Sequence, residues 1–163
     1  MQIAIKIDIR ELVYDIQNKT YLTGRSRSDG KNYRQVALMQ ANDDDENGNQ
    51  IMRSIRNAIA KVKGELSEVL KATATEADNT LNTDQTAEIL TLDMPGNFNN
   101  AATDSIAAAI HRYIVASVTA EWFMITNKPD TEDYASLAEE SLEQLRESLC
   151  KRSKPSRTPV TKD

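Results

Sequence analysis

Several residues that commonly build catalytic, metal or extracellular sites are scarce in this 163-residue chain: it has one cysteine, one histidine, five glycines and 5% aromatic residues. The single cysteine, Cys150, excludes an intramolecular disulfide and suits a reducing compartment. The five glycines are scattered, so no glycine-rich phosphate loop is present. The longest apolar stretch, 106–125, contains His111, Arg112 and Glu121, which are costly to bury in lipid. Four charged residues within the first eleven argue against a signal peptide. We therefore expect an intracellular protein without a membrane span.

Composition indicates one domain with an aliphatic core. Hydrophobic residues make up 39% of the chain, and few of them are aromatic. Charge is distributed unevenly: the last 13 residues contain five bases and one acid, so that +4 there leaves −9 for the preceding 150 residues against a total of −5. The bases are Lys151, Arg152, Lys154, Arg157 and Lys162. We predict a single domain over 1–152 and a flexible basic C-terminal arm over 153–163, because this last segment has two prolines and no apolar stripe.

Two amphipathic segments near the end of the chain predict a pair of long helices. In 106–126, apolar residues recur at three- and four-residue steps: Ile106, Ile110, Tyr113, Ile114, Val118, Trp122 and Ile125. The second segment repeats the pattern with Tyr134, Leu137, Leu142, Leu145 and Leu149. Residues 127–130, with Pro129, separate the two. This arrangement predicts an antiparallel helical hairpin that packs on the rest of the chain.

The remaining segments complete a mainly α-helical α+β fold. Alternating isoleucines at 3–9 and alternating apolar residues at 88–94 predict two strands of a small antiparallel sheet. Helical spacing predicts one helix from Asp8 or Ile9 to about Gly24, a short one at 32–40, and a long one over 51–69. The Thr-, Ala- and Asp-rich stretch 71–86 is interpreted as a third strand or hairpin arm with a turn near 78–84.

The acidic run 43–48 admits two interpretations. Asp43, Asp45, Asn47 and Gly48 fit the first positions of a calcium-binding loop, in which oxygen ligands circle the ion. The pattern then fails at its twelfth position, where Ser54 replaces a bidentate carboxylate. We therefore favour a solvated acidic turn, formed by Asp43, Asp44, Asp45 and Glu46, and expect no metal.

Other candidate residues also favour packing or protein contacts over catalysis. His111 has no carboxylate within reach along its helix, and Cys150 has no base near it in sequence, so it is expected to be a half-buried thiol. Trp122 and Phe123 are adjacent, so one of them should face a second contact unless the helix is packed on two sides. We consider Trp122, Phe123, Asp43–Asp45 and the basic residues Lys151, Arg152, Lys154 and Arg157 to be interface candidates. We expect no cofactor and no enzymatic activity.

Taken together, several short segments resemble a known class of phage protein. They are Leu92-Asp93-Met94-Pro95-Gly96-Asn97-Phe98, Ile110-His111-Arg112-Tyr113-Ile114 and Ala120-Glu121-Trp122-Phe123, followed by a last helix that ends in Cys150-Lys151-Arg152. The set resembles small helical head-to-tail connector (adaptor, neck or tail-ring) proteins of tailed bacteriophages and prophages of Bacteroides-like gut hosts, among them crAss-like phages. The resemblance is strongest over 88–157 and rests on packing motifs, so it carries over no catalytic residue.

The resemblance implies a virion structural protein of the neck or tail, assembled in the host cytoplasm. Such proteins form homo-oligomeric rings, commonly dodecamers, below the portal and beside other neck or tail proteins, and DNA passes through without sequence-specific binding. An acidic body is compatible with this role, because attraction to phosphates would hinder DNA transit. The alternative is an intracellular helical adaptor or regulator that binds a partner protein through the Trp122/Phe123 surface.

Overall fold

The structure, a computed structural model, describes residues 1–71 and 76–157. Along the chain, the elements are β1 (Gln2–Asp8), α1 (Ile9–Ser26), α2 (Tyr33–Met39), α3 (Asp45–Glu65), β2 (Ala87–Asp93), a 3₁₀ turn at Asn100–Ala102, α4 (Thr103–Thr126) and α5 (Lys128–Leu149). The described chain is thus a mainly α-helical α+β fold with a small antiparallel sheet, as predicted.

Helices α4 and α5 form the predicted antiparallel hairpin. Ser105 near the start of α4 hydrogen-bonds Ser148 near the end of α5 at 2.8 Å. At the opposite end, the rings of Phe123 and Tyr134 lie 5.4 Å apart. Only Asn127 separates the two helices, so the connection is shorter than the predicted four residues. Helix α5 begins at Lys128, with Pro129 in its first turn, so Asp130 and Thr131 lie inside the helix.

The other helices pack around α4, which is buried on most sides. Its buried residues are Ile106, Ala109, Ile110, Tyr113, Ile114, Val115, Ala116, Val118, Thr119, Ala120 and Phe123. Helix α1 contributes Leu12 and Ile16, and α3 contributes Ile55 and Val62. All four side chains are fully buried. The Asp8 carboxylate begins α1 by accepting from the backbone N–H of Arg10, the capping that its position predicts.

Strands β1 and β2 pair antiparallel, from Gln2 opposite Asp93 to Asp8 opposite Ala87. On the other side of β2, Leu70 forms a single bridge with Leu92. Residues 76–77 and 85–86, which flank the predicted turn at 78–84, form no strand, so the predicted hairpin arm is wrong for them; residues 72–75 lie outside the described part. Instead, Arg53 and Arg56 of α3 donate hydrogen bonds to the carbonyls of Asn79 and Thr80, which holds this segment against the helix.

The residues that follow α5 are hydrogen-bonded to the segment after β2. The backbone N–H of Asn99 donates to the carbonyl of Lys151 at 3.1 Å, and that of Ser153 donates to Asn97 at 2.8 Å. Arg152 and Phe98 form a β-bridge. Ser153 therefore belongs to the domain, one residue beyond the predicted boundary. Residues 154–157 are exposed, and 158–163, the rest of the predicted arm, lie outside the described residues.

Gly24 provides a test of how closely α1 and α2 approach. A Cβ at Gly24 would lie 3.2 Å from the carbonyl oxygen of Val36 and 3.5 Å from Cβ of Met39, whereas a Cβ at Gly48 of α3 meets nothing within 4 Å. We expect Gly48→Ala to raise the free energy of unfolding by about 0.5–1 kcal/mol through helix propensity. Gly24→Ala should lower it instead, because the α2 backbone must move away.

Urea denaturation of both single variants measures the two effects. Equal stabilisation by the two alanines would contradict the close α1–α2 contact.

Candidate protein-interaction surfaces

The acidic run lies at the start of α3 and is exposed. Asp44 is the N-cap residue, and Asp45 and Glu46 are in the first turn, where negative charge favours the helix dipole. Asp43 precedes the helix and accepts a 2.7 Å hydrogen bond from Nε2 of Gln17. Because residues 45–48 are helical, their side chains radiate from the axis and cannot circle an ion. The geometry of a calcium-binding loop is therefore not formed. The acidic turn is also shorter than predicted, because Asp45 and Glu46 already belong to α3.

Within residues 1–71 and 76–157, no three His, Cys, Asp or Glu side chains are grouped as metal ligands would be. None of the helices in this part of the chain combines the length and apolar character that crossing a bilayer requires.

Trp122 and Phe123 both serve the interior, on two different sides of α4. Phe123 is 0% exposed and packs on Tyr134 of α5, so it is not available to a partner. The prediction of Phe123 as an interface residue is therefore wrong. Trp122 is half-buried, and its Nε1 donates a 2.8 Å hydrogen bond to the carbonyl of Met39 at the end of α2. The adjacent aromatics thus reflect a helix packed on two sides.

Three large apolar side chains in the last turns of α2 and α4 are exposed to solvent. They are Leu38, Met124 and Ile125, which are 66%, 57% and 76% exposed. Ile125 was predicted in the buried stripe, but it is exposed in the last turn of α4, where Phe123 is the buried residue. We call these three residues the end patch. Large apolar side chains left in water gain free energy when another protein covers them.

A groove of about 220 Å³ runs between α4 and α5 and was not predicted. Small side chains leave it open: Ser117, Ala120, Ala135 and Ala138 line it together with Tyr113, Met124 and Thr131, and Glu121 and Glu139 also line it. We call it the hairpin groove. It could have been predicted from the small residues that recur at helical spacing in both helices.

A second concave region lies between α1 and the segment after α2. It encloses about 300 Å³ and is lined by Tyr14, Tyr21, Gln17, Asn18, Gln40, Ala41, Asn42 and Asp43. The N–H of Ala41 donates to the Thr20 hydroxyl at 3.1 Å, which holds this segment on α1. Asp43, the first residue of the acidic run, is therefore part of a wall rather than of a free loop.

His111 has a partner that its own helix could not supply. Its Nε2 lies 2.6 Å from a carboxylate oxygen of Asp15 on α1, 96 residues away in sequence. Both side chains are more than a third exposed. Among residues 1–71 and 76–157, no hydroxyl or thiol hydrogen-bonds to either group, so the pair joins α1 to α4 and has no nucleophile at hand.

The basic C-terminal residues are all on the surface. Lys151, Arg152, Lys154 and Arg157 are exposed, and in the described part of the chain none of them lies in an ion pair with a carboxylate. Arg152 instead donates to the carbonyl of Leu149. Cys150 is also exposed, so the expectation of a half-buried thiol is wrong.

Two ion pairs fasten α5 to the body. Arg27 binds the buried carboxylate of Asp130, with Nε 3.0 Å from Oδ2, and this hydrogen bond lowers the pKa of Asp130. Arg146 binds Glu65 of α3 with two bonds of 2.8 and 2.9 Å, and they lower the pKa of Glu65. The outward surface of α5 stays acidic: Glu132, Asp133, Glu139, Glu140, Glu143 and Glu147 are exposed.

The chain was compared with known proteins at three levels. No protein-family model, no curated protein and no solved structure matches it.

Proposed function

We propose that this chain is a virion structural protein, a head-to-tail connector or tail-ring subunit that assembles as a homo-oligomeric ring below the portal. The observation that carries the proposal is the end patch on a tightly packed helical body. Leu38, Met124 and Ile125 are each more than half exposed, and apolar side chains in that position gain free energy when a neighbouring subunit covers them.

The electrostatics of the body support the same proposal. The first 150 residues carry −9, and the outer surface of α5 presents six exposed carboxylates. A ring with this charge would repel the phosphates of passing DNA, which suits transit and opposes retention. We propose that DNA passes without sequence-specific contact and that the other partners are the portal and neighbouring neck or tail proteins.

The alternative is a helical adaptor that binds one partner protein. Because Phe123 is buried, the surface for that role would be the end patch beside Trp122 rather than the Trp122/Phe123 pair itself. The two functions differ in stoichiometry: a ring contains about a dozen identical copies, whereas an adaptor is a monomer or dimer until its partner arrives.

Mass photometry of the purified chain, alone and mixed with the portal protein of the same virus, tests the proposal. We expect a closed species of about twelve copies in at least the second sample. Ile125→Arg should abolish it without changing the melting temperature, because a charge on a 76% exposed side chain does not disturb the core.

Ile89→Arg is the matched control, since Ile89 is 65% exposed on β2, away from the end patch. A monomer or dimer under both conditions would contradict the ring. Equal assembly by the Ile125→Arg variant and the parent would remove the end patch as its basis.

A further inference from the structure

We propose that the hairpin groove of one subunit binds the basic C-terminal segment of a neighbouring copy, beginning at Lys154. This inference rests on the proposed function, because it names the contact that joins subunits in the ring. Three features carry it: the shape of the groove, the charges at its rim, and the place where the C-terminal segment leaves the domain.

The groove has the shape and lining that an extended segment needs. Ala120 of α4 and Ala135 and Ala138 of α5 carry no side chain beyond Cβ, so the two helices leave an open channel of about 220 Å³ between them. Lys154 precedes Pro155, and a residue before proline favours an extended backbone. An extended chain is narrow enough to lie along such a channel, with Pro155 against the apolar floor.

The charges of the groove and the segment are complementary. Glu121 and Glu139 are exposed at the groove and form no ion pair within residues 1–71 and 76–157. Lys154 and Arg157 are exposed as well. Opposite charges across a contact favour association and fix its register.

The segment cannot reach Glu121, at the far end of the groove of its own subunit. Ser153 is held at Asn97, near the end of the hairpin where Ser105 meets Ser148. Glu121 is eighteen residues beyond the start of α4, about 27 Å along the helix. Lys154 is one residue beyond Ser153 and Arg157 four, so their backbones reach at most about 4 and 14 Å. Within this geometry Glu121 is met by the segment of another copy, whereas Glu139 is only ten residues, about 15 Å, from the end of α5.

This geometry defines the type of assembly. The groove and the departing segment lie toward opposite ends of the α4–α5 hairpin. Each subunit therefore inserts its C-terminal segment into one neighbour and binds the segment of another neighbour in its groove. Such a head-to-tail contact is heterologous, and it produces a ring when the rotation between subunits closes. Met124 of the end patch, which also lines the groove, is then covered by the donor subunit.

Charge-reversed full-length chains test the contact. One chain carries Glu121→Lys and Glu139→Lys, and the other Lys154→Glu and Arg157→Glu. We expect each alone to associate about 10-fold or more weakly than the parent in sedimentation velocity, because like charges then face each other. An equimolar mixture should recover assembly, since both kinds of junction in it pair opposite charges. Glu140→Lys with Glu147→Lys, the same charge change outside the groove, is the matched control and should assemble as the parent does.

A binding measurement separates this inference from the ring itself. A fluorescent peptide of residues 151–163 should bind the full-length Lys154→Glu/Arg157→Glu chain, whose groove is vacant, and binding should be lost when Glu121→Lys and Glu139→Lys are added. Rings that form equally well from every reversed chain would overturn the groove contact and leave the ring standing. A parent that stays monomeric but binds the peptide at the groove would support the contact and contradict the ring. Absence of peptide binding would overturn the contact in either case.

Discussion

Phe123→Ala is expected to lower the free energy of unfolding by about 3–5 kcal/mol, the usual cost of emptying a fully buried phenylalanine site. Phe123 is 0% exposed and lies at the closed end of the α4–α5 hairpin, against the ring of Tyr134. Only Asn127 connects the helices there, so the backbone has little freedom to collapse into the cavity. Urea denaturation followed by circular dichroism measures the loss.

The neighbouring Met124→Ala is the matched control, because Met124 is 57% exposed and its truncation should cost under about 0.5 kcal/mol. Similar losses for the two variants would show that the end of the hairpin is not packed as described. The loss of stability for Trp122→Ala should lie between these two values. The Trp122 ring is half-buried, and the substitution also removes the hydrogen bond from Nε1 to the carbonyl of Met39.

Asp130→Asn is expected to reduce stability by about 1.5–3 kcal/mol at neutral pH, the range for hydrogen bonds to a charged group. The Asp130 side chain is 6% exposed, and the Arg27 guanidinium holds its pKa below the usual range. A lowered native pKa means that the unfolded chain binds the proton more tightly. The stabilisation is therefore complete above the unfolded pKa of about 3.9 and is lost as the pH falls through the native pKa.

The measurement is the difference in unfolding free energy between parent and Asp130→Asn from pH 7 to pH 3. It should stay constant down to about pH 5 and shrink below about pH 4. Glu132→Gln, an exposed acid in the same helix, should differ little from the parent throughout. A difference for Asp130→Asn that does not change at acid pH would contradict the ion pair as its source.

The periodic part of the fold was predictable from sequence. Ile106, Ile110 and Ile114 repeat at helical spacing, and alternating isoleucines define β1, because burial on one face imposes those periods. The predictions failed where a distant contact outweighs local pattern. Asp130 lies in the first turn of α5, and its partner Arg27 is 103 residues away in sequence. Residues 79 and 80, in the predicted turn, are held by two arginines of α3, and residues 76–77 and 85–86 on either side of that turn form no strand.

The interaction surfaces were less predictable, for a related reason. A groove exists only once two helices are aligned, so Ala120 and Ala135 reveal nothing separately. Likewise, the sequence separation of His111 and Asp15 hides their contact. Phe123 is buried and Ile125 is exposed, the reverse of what was expected, because the stripe shows which residues share a face and not which faces the neighbouring elements cover. The charge of residues 151–157 was readable directly, since it requires no partner element.

The pairing of β1 with β2 has a consequence for the order in which the chain folds. Gln2 pairs with Asp93, whereas α4 and α5 are adjacent in sequence and joined by one residue. Closing the long loop between the strands costs more chain entropy than forming the hairpin. Local contacts of this kind form fast, and distant strand pairing is slow. Leu92 and the other apolar residues of β2 thus stay uncovered while the hairpin is already formed. During synthesis, by contrast, the ribosome makes β1 some 80 residues before β2, its only strand partner in the described part of the chain.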